Sequence, residues 1–274
     1  MSTDASQQRL TVAPSVTIVS DLEHFEPVEG PNVDHVVTED DTPVDNLFSE
    51  KQQRLLTEPL YSSWKPDVSF LTMANVGLFC SANVPPLVPD VLLSMDVVAP
   101  SDLFPKSNRS YFVWEYGKPP DVVIEIVSNK EGGEATNKLQ GYARGGVDYY
   151  IIYDPFNYLS EEAVRFYELR GGVFHLIEGV PYLMPSIGLG LRVWEGSFEG
   201  HVDIWLRWTD MAGNLIRSGA ELADSERTRA DAEQIRADAE QMRADSEQAR
   251  ADSQRVRADA LEEQLRRLGI KTEN

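Results

Sequence analysis

Apolar and polar positions follow three different rhythms along this 274-residue chain. Residues 47–216 carry short apolar runs divided by turn residues, the pattern of a strand-rich fold with helical interruptions. DVVIEIVS (121–128) and VDYYIIYDP (147–155) are nearly continuous apolar runs, which suit strands buried on both faces. Between them Gly132–Gly133 predicts a loop, and Glu134 to Arg144 a helix closed by Gly145–Gly146. AVRFYELRGGVFHLIE (163–178) alternates with period two on both sides of Gly171–Gly172, a hairpin signature. NLFSEKQQRLLTEP (46–59) predicts a helix with Leu47, Phe48, Leu55 and Leu56 on its apolar face, ended by Pro59. Segments 68–81 and 85–100 are strand candidates, 101–118 a polar and aromatic connection, and 188–200 and 201–216 further strands and turns.

The other two rhythms lie at the ends. Residues 1–46 show no period, are interrupted by Pro14, Pro27, Pro31 and Pro43, and predict a disordered segment. The run SVTIVS (15–20) competes with that reading as an edge strand. At the other end RAD recurs at 229, 236, 243, 250 and 257, a strict seven-residue period. Residues 220–268 hold neither Gly nor Pro, so 219–268 can form one helix of roughly 75 Å at 1.5 Å per residue. With Ile235 at d, the d series is Thr228, Ile235, Met242, Ala249 and Val256, and a is Ala232, Ala239, Ser246, Ser253 and Ala260. Position e is then Arg236, Arg243, Arg250 and Arg257, and g is Asp231, Asp238, Asp245 and Asp252. This is a coiled-coil layout that predicts a homo-oligomer. The small a residues leave a solitary helix with internal ion pairs as the competing reading. The boundaries that follow are an acidic segment 1–46, a folded domain 47–208, a linker 209–218 and a heptad helix 219–268.

Composition sharpens the picture. Asp and Glu number 45 against 25 Lys and Arg, a net charge of −20. Eleven of the acids and a single base, Arg9, fall in residues 1–50, so half of the net charge sits there. Bulk electrostatics therefore argue against a protein that coats nucleic acid. The acidic segment could instead mimic DNA and occupy a basic groove in cis. One cysteine, Cys80, excludes an internal disulfide framework and a cysteine-based zinc site. No apolar run approaches a membrane span, and the N-terminus lacks the pattern of a secretory signal, so a cytoplasmic protein is expected.

Neither phosphate-cradling glycine motif is present, nor is a GxSxG elbow. His24, His35, His175 and His201 are scattered, with no metal-ligand spacing. What remains is carboxylates set in apolar strands. Asp90 follows Pro89 at the start of VLL, and Glu125 lies between Ile124 and Ile126. A buried carboxylate must pair, take up a proton or bind a cation. Two from adjacent strands suit Mg²⁺, and Mn²⁺ fits the same oxygen donors. Lys138, one turn into the following helix, could orient water or offset charge developing on a phosphate. The alternative is structural, with Glu125 paired to Arg109, Lys130 or Lys138 and Asp90 capping a turn. Lys106, Arg109 and Lys118, with Tyr111, Phe112, Trp114 and Tyr116, make 104–118 the best nucleic-acid surface; the alternative is a packed loop.

The block PPLVPDVLL (85–93) followed by PPDVVIEIVSNKEGGEATNKLQGYARGGVDYYIIYDP (119–155) resembles the Uma family of restriction-endonuclease-like proteins, a bacterial branch of the PD-(D/E)XK nucleases. The resemblance covers roughly residues 47–200. It implies an α/β restriction-endonuclease-like core, a mixed central sheet flanked by helices, here followed by the long C-terminal helix. By motif, Asp90 matches the first metal-binding acid and Glu125 the acid of the (D/E)XK strand. Val127 stands where the motif has Lys, so Lys138 becomes the matching base. A Glu on the first helix is common in the superfamily; Glu50 and Glu58 are candidates, with Glu50 favoured because Pro follows Glu58. Asp121, four residues before Glu125, falls at the margin. The implied activity is Mg²⁺-dependent hydrolysis of phosphodiester bonds in nucleic acid, DNA ahead of RNA. The alternative is a catalytically inactive nuclease-like scaffold acting through its coiled coil.

Overall fold

The computed structural model describes residues 32, 46–128 and 134–268. The elements below all lie in the compact unit Val33–Asn274. The expectations for residues 1–46, including the SVTIVS strand and the acidic mimic, and for Lys130 fall outside the described residues, save Asn32 and Asn46.

Helix α1 (Leu47–Ser63) opens on Asn46, whose side chain accepts from the Ser49 amide at 3.0 Å. Pro59 does not end it, contrary to the expectation. A proline nitrogen forfeits one helical hydrogen bond, and the fully buried Leu56 and Leu60 hold the turns on either side.

Six strands form the central sheet. They are β1 (Phe70–Ala74), β3 (Val91–Met95), β5 (Val122–Ile126), β6 (Tyr149–Tyr153), β7 (Val164–Arg170) and β8 (Val173–Ile177), and β2 (Leu78–Phe79) lies outside them. The order is β1-β3-β5-β6-β7-β8, antiparallel throughout except for the parallel pair β5–β6. That parallel step needs a crossover, which the chain supplies as a π-helical turn at Glu134–Lys138 leading into α3 (Leu139–Gly145). Gly146, at φ 78°, closes α3 in the left-handed conformation that glycine tolerates best. The hairpin β7–β8 turns at Gly171–Gly172, as its alternation implies.

The central strands are buried on both faces, which explains their unbroken apolar runs. On one face Val122, Ile124 and Ile126 pack with Leu56 and Leu60 of α1. The same layer takes in β9 (Tyr182–Met184), β10 (Leu189–Phe198) and β11 (His201–Thr209), a three-stranded antiparallel sheet that contributes Leu189, Leu191, Leu206 and Trp208. Gln52 ties α1 to that sheet by donating to the Leu206 carbonyl at 2.8 Å and accepting from its amide at 2.9 Å. On the other face Val123 and Val127 pack with Tyr142 of α3, Tyr111 and Leu78.

The connection 101–118 folds into a short 3₁₀ turn (Lys106–Asn108), β4 (Tyr111–Phe112) paired in parallel with β2, and α2 (Val113–Tyr116). Helix α4 (Gly219–Arg267) follows a turn built on Asp210 and starts with a capping box between Ser218 and Glu221.

Candidate active site

Strand register decides the geometry. The β3–β5 ladder pairs Val91 with Ile124, so its next step sets Asp90 opposite Glu125. The ladder stops at Val91, and the amide of Ile126 donates instead to Asp90 Oδ2 at 2.6 Å. Asp90 Oδ1 accepts from Gln53 Nε2 of α1 at 3.2 Å, and Gln53 Oε1 accepts from Asn75 Nδ2 at 3.0 Å. The two acids expected from the sequence thus lie side by side at the C-terminal end of β5, Glu125 1% and Asp90 8% exposed.

Glu125 points to the α3 face, as Val123 and Val127 do. Lys138 Nζ donates to Glu125 Oε2 at 2.8 Å, and Tyr142 Oη to Glu125 Oε1 at 2.6 Å. Lys138 and Tyr142 are four residues apart and therefore share one helical face. Burial, then the negative charge of Glu125, hold the Tyr142 phenol well above its usual pKa, with Asp90 adding to the effect. Tyr142 is consequently a hydrogen-bond donor at every physiological pH.

The same row of the sheet continues away from the acids. Glu125 pairs with Ile152, and Ile152 with Arg165 of β7. Partners across a ladder share a face, so Arg165 lies on the α3 side. Its Nε and Nη2 are buried and have no hydrogen-bond partner among the described residues.

Other sequence candidates go elsewhere. Glu50 is exposed and pairs with Arg54 at 2.9 Å, so α1 brings Gln53 rather than Glu50 to Asp90. Glu58 accepts from the Gly219 amide at 2.9 Å and belongs to the start of α4. Asp121 sits at the far end of β5, roughly 13 Å along the strand from Glu125 at about 3.3 Å per residue. There it binds Lys118 at 2.6 Å and the Met95 amide at 2.7 Å. Tyr111 and Phe112 are fully buried and stack on Tyr116 and Phe79, so these rings of the 104–118 connection serve the interior.

Sequence reasoning missed Gln53, Tyr142 and Arg165. Tyr142 carried a signal, its i,i+4 spacing from Lys138. Gln53 carried only a weak one, a polar pair set against Leu55 and Leu56. Arg165 carried none, because its place depends on two ladder registers.

Asp90 and Glu125 are hard oxygen donors, the kind of ligand that Mg²⁺ prefers. Mg²⁺ is commonly held by one or two carboxylates with water and phosphate completing its shell. Among the described residues no group of three or more His, Cys, Asp or Glu is arranged to hold a metal ion. Two carboxylates completed by water and phosphate oxygens are a donor set that Mg²⁺ accepts.

A mixed sheet with α1 on one face, a crossover helix on the other and acids at the end of β5 defines a restriction-endonuclease-like α/β core. The Uma2 family model, described as "Putative restriction endonuclease", matches residues 41–189, and the chain belongs to that family. The matched segment ends at the start of β10, so the β10–β11 hairpin and α4 lie beyond it. No curated protein matches the chain. Among the described residues no helix is long and apolar enough to cross a membrane.

Proposed function

We propose that this protein is a metal-dependent endonuclease that hydrolyses phosphodiester bonds in DNA, with residues 47–208 as its catalytic unit. Asp90 and Glu125 hold Mg²⁺, or Mn²⁺ in its place. The observation that carries the reading is the convergence of these two buried acids at one strand end, with an amine on the outer oxygen of Glu125. A fold gains little stability from setting two carboxylates together. The same pair is the natural cradle for a hard dication that meets a phosphate.

Bound there, Mg²⁺ supplies Lewis acidity toward a phosphate oxygen and a water of lowered pKa. The chain's own groups do the rest. Lys138 orients Glu125 and provides positive charge where negative charge develops on the phosphate. Tyr142, always protonated, fixes the second oxygen of Glu125. Gln53 orients Asp90 through a neutral amide, so α1 supplies a positioning group and no proton carrier. Arg165, two ladder steps along the same row, adds positive charge to this side of the sheet.

The test pairs calorimetric titration of Mg²⁺ with cleavage of duplex DNA, comparing wild type with Asp90→Asn and Glu125→Gln. The reading requires metal binding and cleavage that both variants lose. Undiminished cleavage in the variants would remove the site assignment. A wild type that neither binds metal nor cuts would leave the non-catalytic scaffold acting through its helix.

A further inference from the structure

We infer that α4 is a self-association surface, pairing in parallel and in register with α4 of a second copy of this chain. This stands independently of the nuclease reading. The helix is 49 residues long and none of them is buried. At d, Ile235, Met242 and Val256 are 69%, 74% and 67% exposed. A single helix in water gains nothing from a large apolar side chain repeated along one seam.

The flanking charges identify the occupant. The Asp side chains at g are steadied from c, since Gln234, Gln241 and Gln248 donate to Asp238, Asp245 and Asp252. The Arg side chains at e are not. Among the described residues, ion pairs within α4 lie only near its ends, at Arg229–Glu226 and at Arg266 and Arg267 with Glu263. Arg236, Arg243, Arg250 and Arg257 make none. A row of four guanidinium groups beside an exposed apolar seam calls for a matching row of acids from outside, and the chain's own g positions are such a row.

Orientation follows from the same charges. In a parallel coiled coil g meets e of the next heptad on the partner. Asp231, Asp238, Asp245 and Asp252 then face Arg236, Arg243, Arg250 and Arg257 of the second copy. In an antiparallel pair e faces e and g faces g, so Arg would meet Arg and Asp meet Asp along both flanks. The pattern favours the parallel form and rejects the other.

The first turn of α4 is fixed to its own sheet. Arg207 forks onto Glu221 at 2.8 and 2.7 Å, and the Gly219 amide donates to Glu58. A parallel pair therefore sets two bodies at the same end of the coil. If the nuclease reading holds, that arrangement offers two sites to the two strands of one duplex.

The experiment uses the full chain in a Cys80→Ser background. Light scattering is expected to give twice 30.7 kDa. Ala232→Cys and Ala260→Cys, each at an a position well away from the middle of the helix, should each cross-link to itself under mild oxidation. Equivalent a residues are close enough for a disulfide only in the parallel, in-register form. Changing all four e arginines to Asp should give a monomer. Mixing that variant with one carrying Arg at the four g positions should restore the dimer. A wild type with monomer mass, self-coupling at neither cysteine, or a dimer unaffected by charge reversal would each overturn the inference.

Discussion

Two ion pairs in this molecule, each with one buried partner, differ in the balance of charge around them. At the root of α4, Arg207 is 2% exposed and sits 4.6 Å from the Trp194 ring centroid. Its guanidinium forks onto Glu221 and donates to the Ile216 carbonyl, while Glu221 also accepts from the Ser218 amide. One cation meets one acid with the rest of the fork occupied, the form a structural clamp takes. At the end of β5, Glu125 meets Lys138, Asp90 stands beside it, and Tyr142, Gln53 and a backbone amide also donate to the two acids. Two acids held together cost electrostatic energy that a clamp would avoid. The first arrangement serves stability, and the second is suited to a ligand that brings positive charge.

If that contrast is right, the two sites fail in opposite ways. Glu125→Gln or Asp90→Asn should lower the cleavage rate by two to four orders of magnitude, about 3–5 kcal/mol of barrier. The loss of stability should be far smaller, about 1 kcal/mol, because the hydrogen bonds lost are partly offset by relief of repulsion between the acids. Single-turnover cleavage beside a denaturation curve checks both halves. Arg207→Ala should do the reverse. It removes the fork and the contact with Trp194, and should cost about 1–3 kcal/mol, discounted because Glu221 is 40% exposed. Cleavage by the folded fraction should stay near wild type.

Smaller effects sharpen the comparison. Tyr142→Phe deletes one donor to Glu125 and should cost roughly 1 kcal/mol of stability. Weaker Mg²⁺ binding by calorimetry would separate that variant from a merely structural one. The smallest effect is on pH. Burial raises the pKa of Glu221, but the Arg207 and Ser218 hydrogen bonds and the Arg207 charge outweigh burial and hold it below 4.5. A carboxyl lowered on folding stabilises fully above its unfolded value and loses that contribution as pH falls through the folded one. Anchorage of α4 should thus be intact above pH 4.5 and loosen only in stronger acid, read as faster amide exchange across residues 216–222.

Much of this was legible in the residues. The β5 and β6 runs, the Gly171–Gly172 hairpin and the uninterrupted span of α4 follow from local rules: continuous apolar stretches, glycine turns, absence of breakers. Pro59 misled because a proline forfeits only one hydrogen bond and buried Leu60 outweighs that loss. Glu50 misled for a different reason. A helix seen as sequence has several acidic positions, and only docking against β3 and β11 decides that Gln53 meets Asp90 while Glu50 faces Arg54.

The sequence by itself determined which strands would be buried on both faces, that an acid would stand in one of them, and that a long heptad helix would follow. Those are properties of short windows, where periodicity and propensity act. Only the tertiary structure decided that Asp90 and Glu125 are neighbours, that Lys138 and Tyr142 reach the same carboxylate, and that Arg165 shares their row. These depend on ladder register and crossover packing between segments as many as 75 residues apart, from Asp90 to Arg165. A one-residue slip in any ladder would turn the side chains to opposite faces.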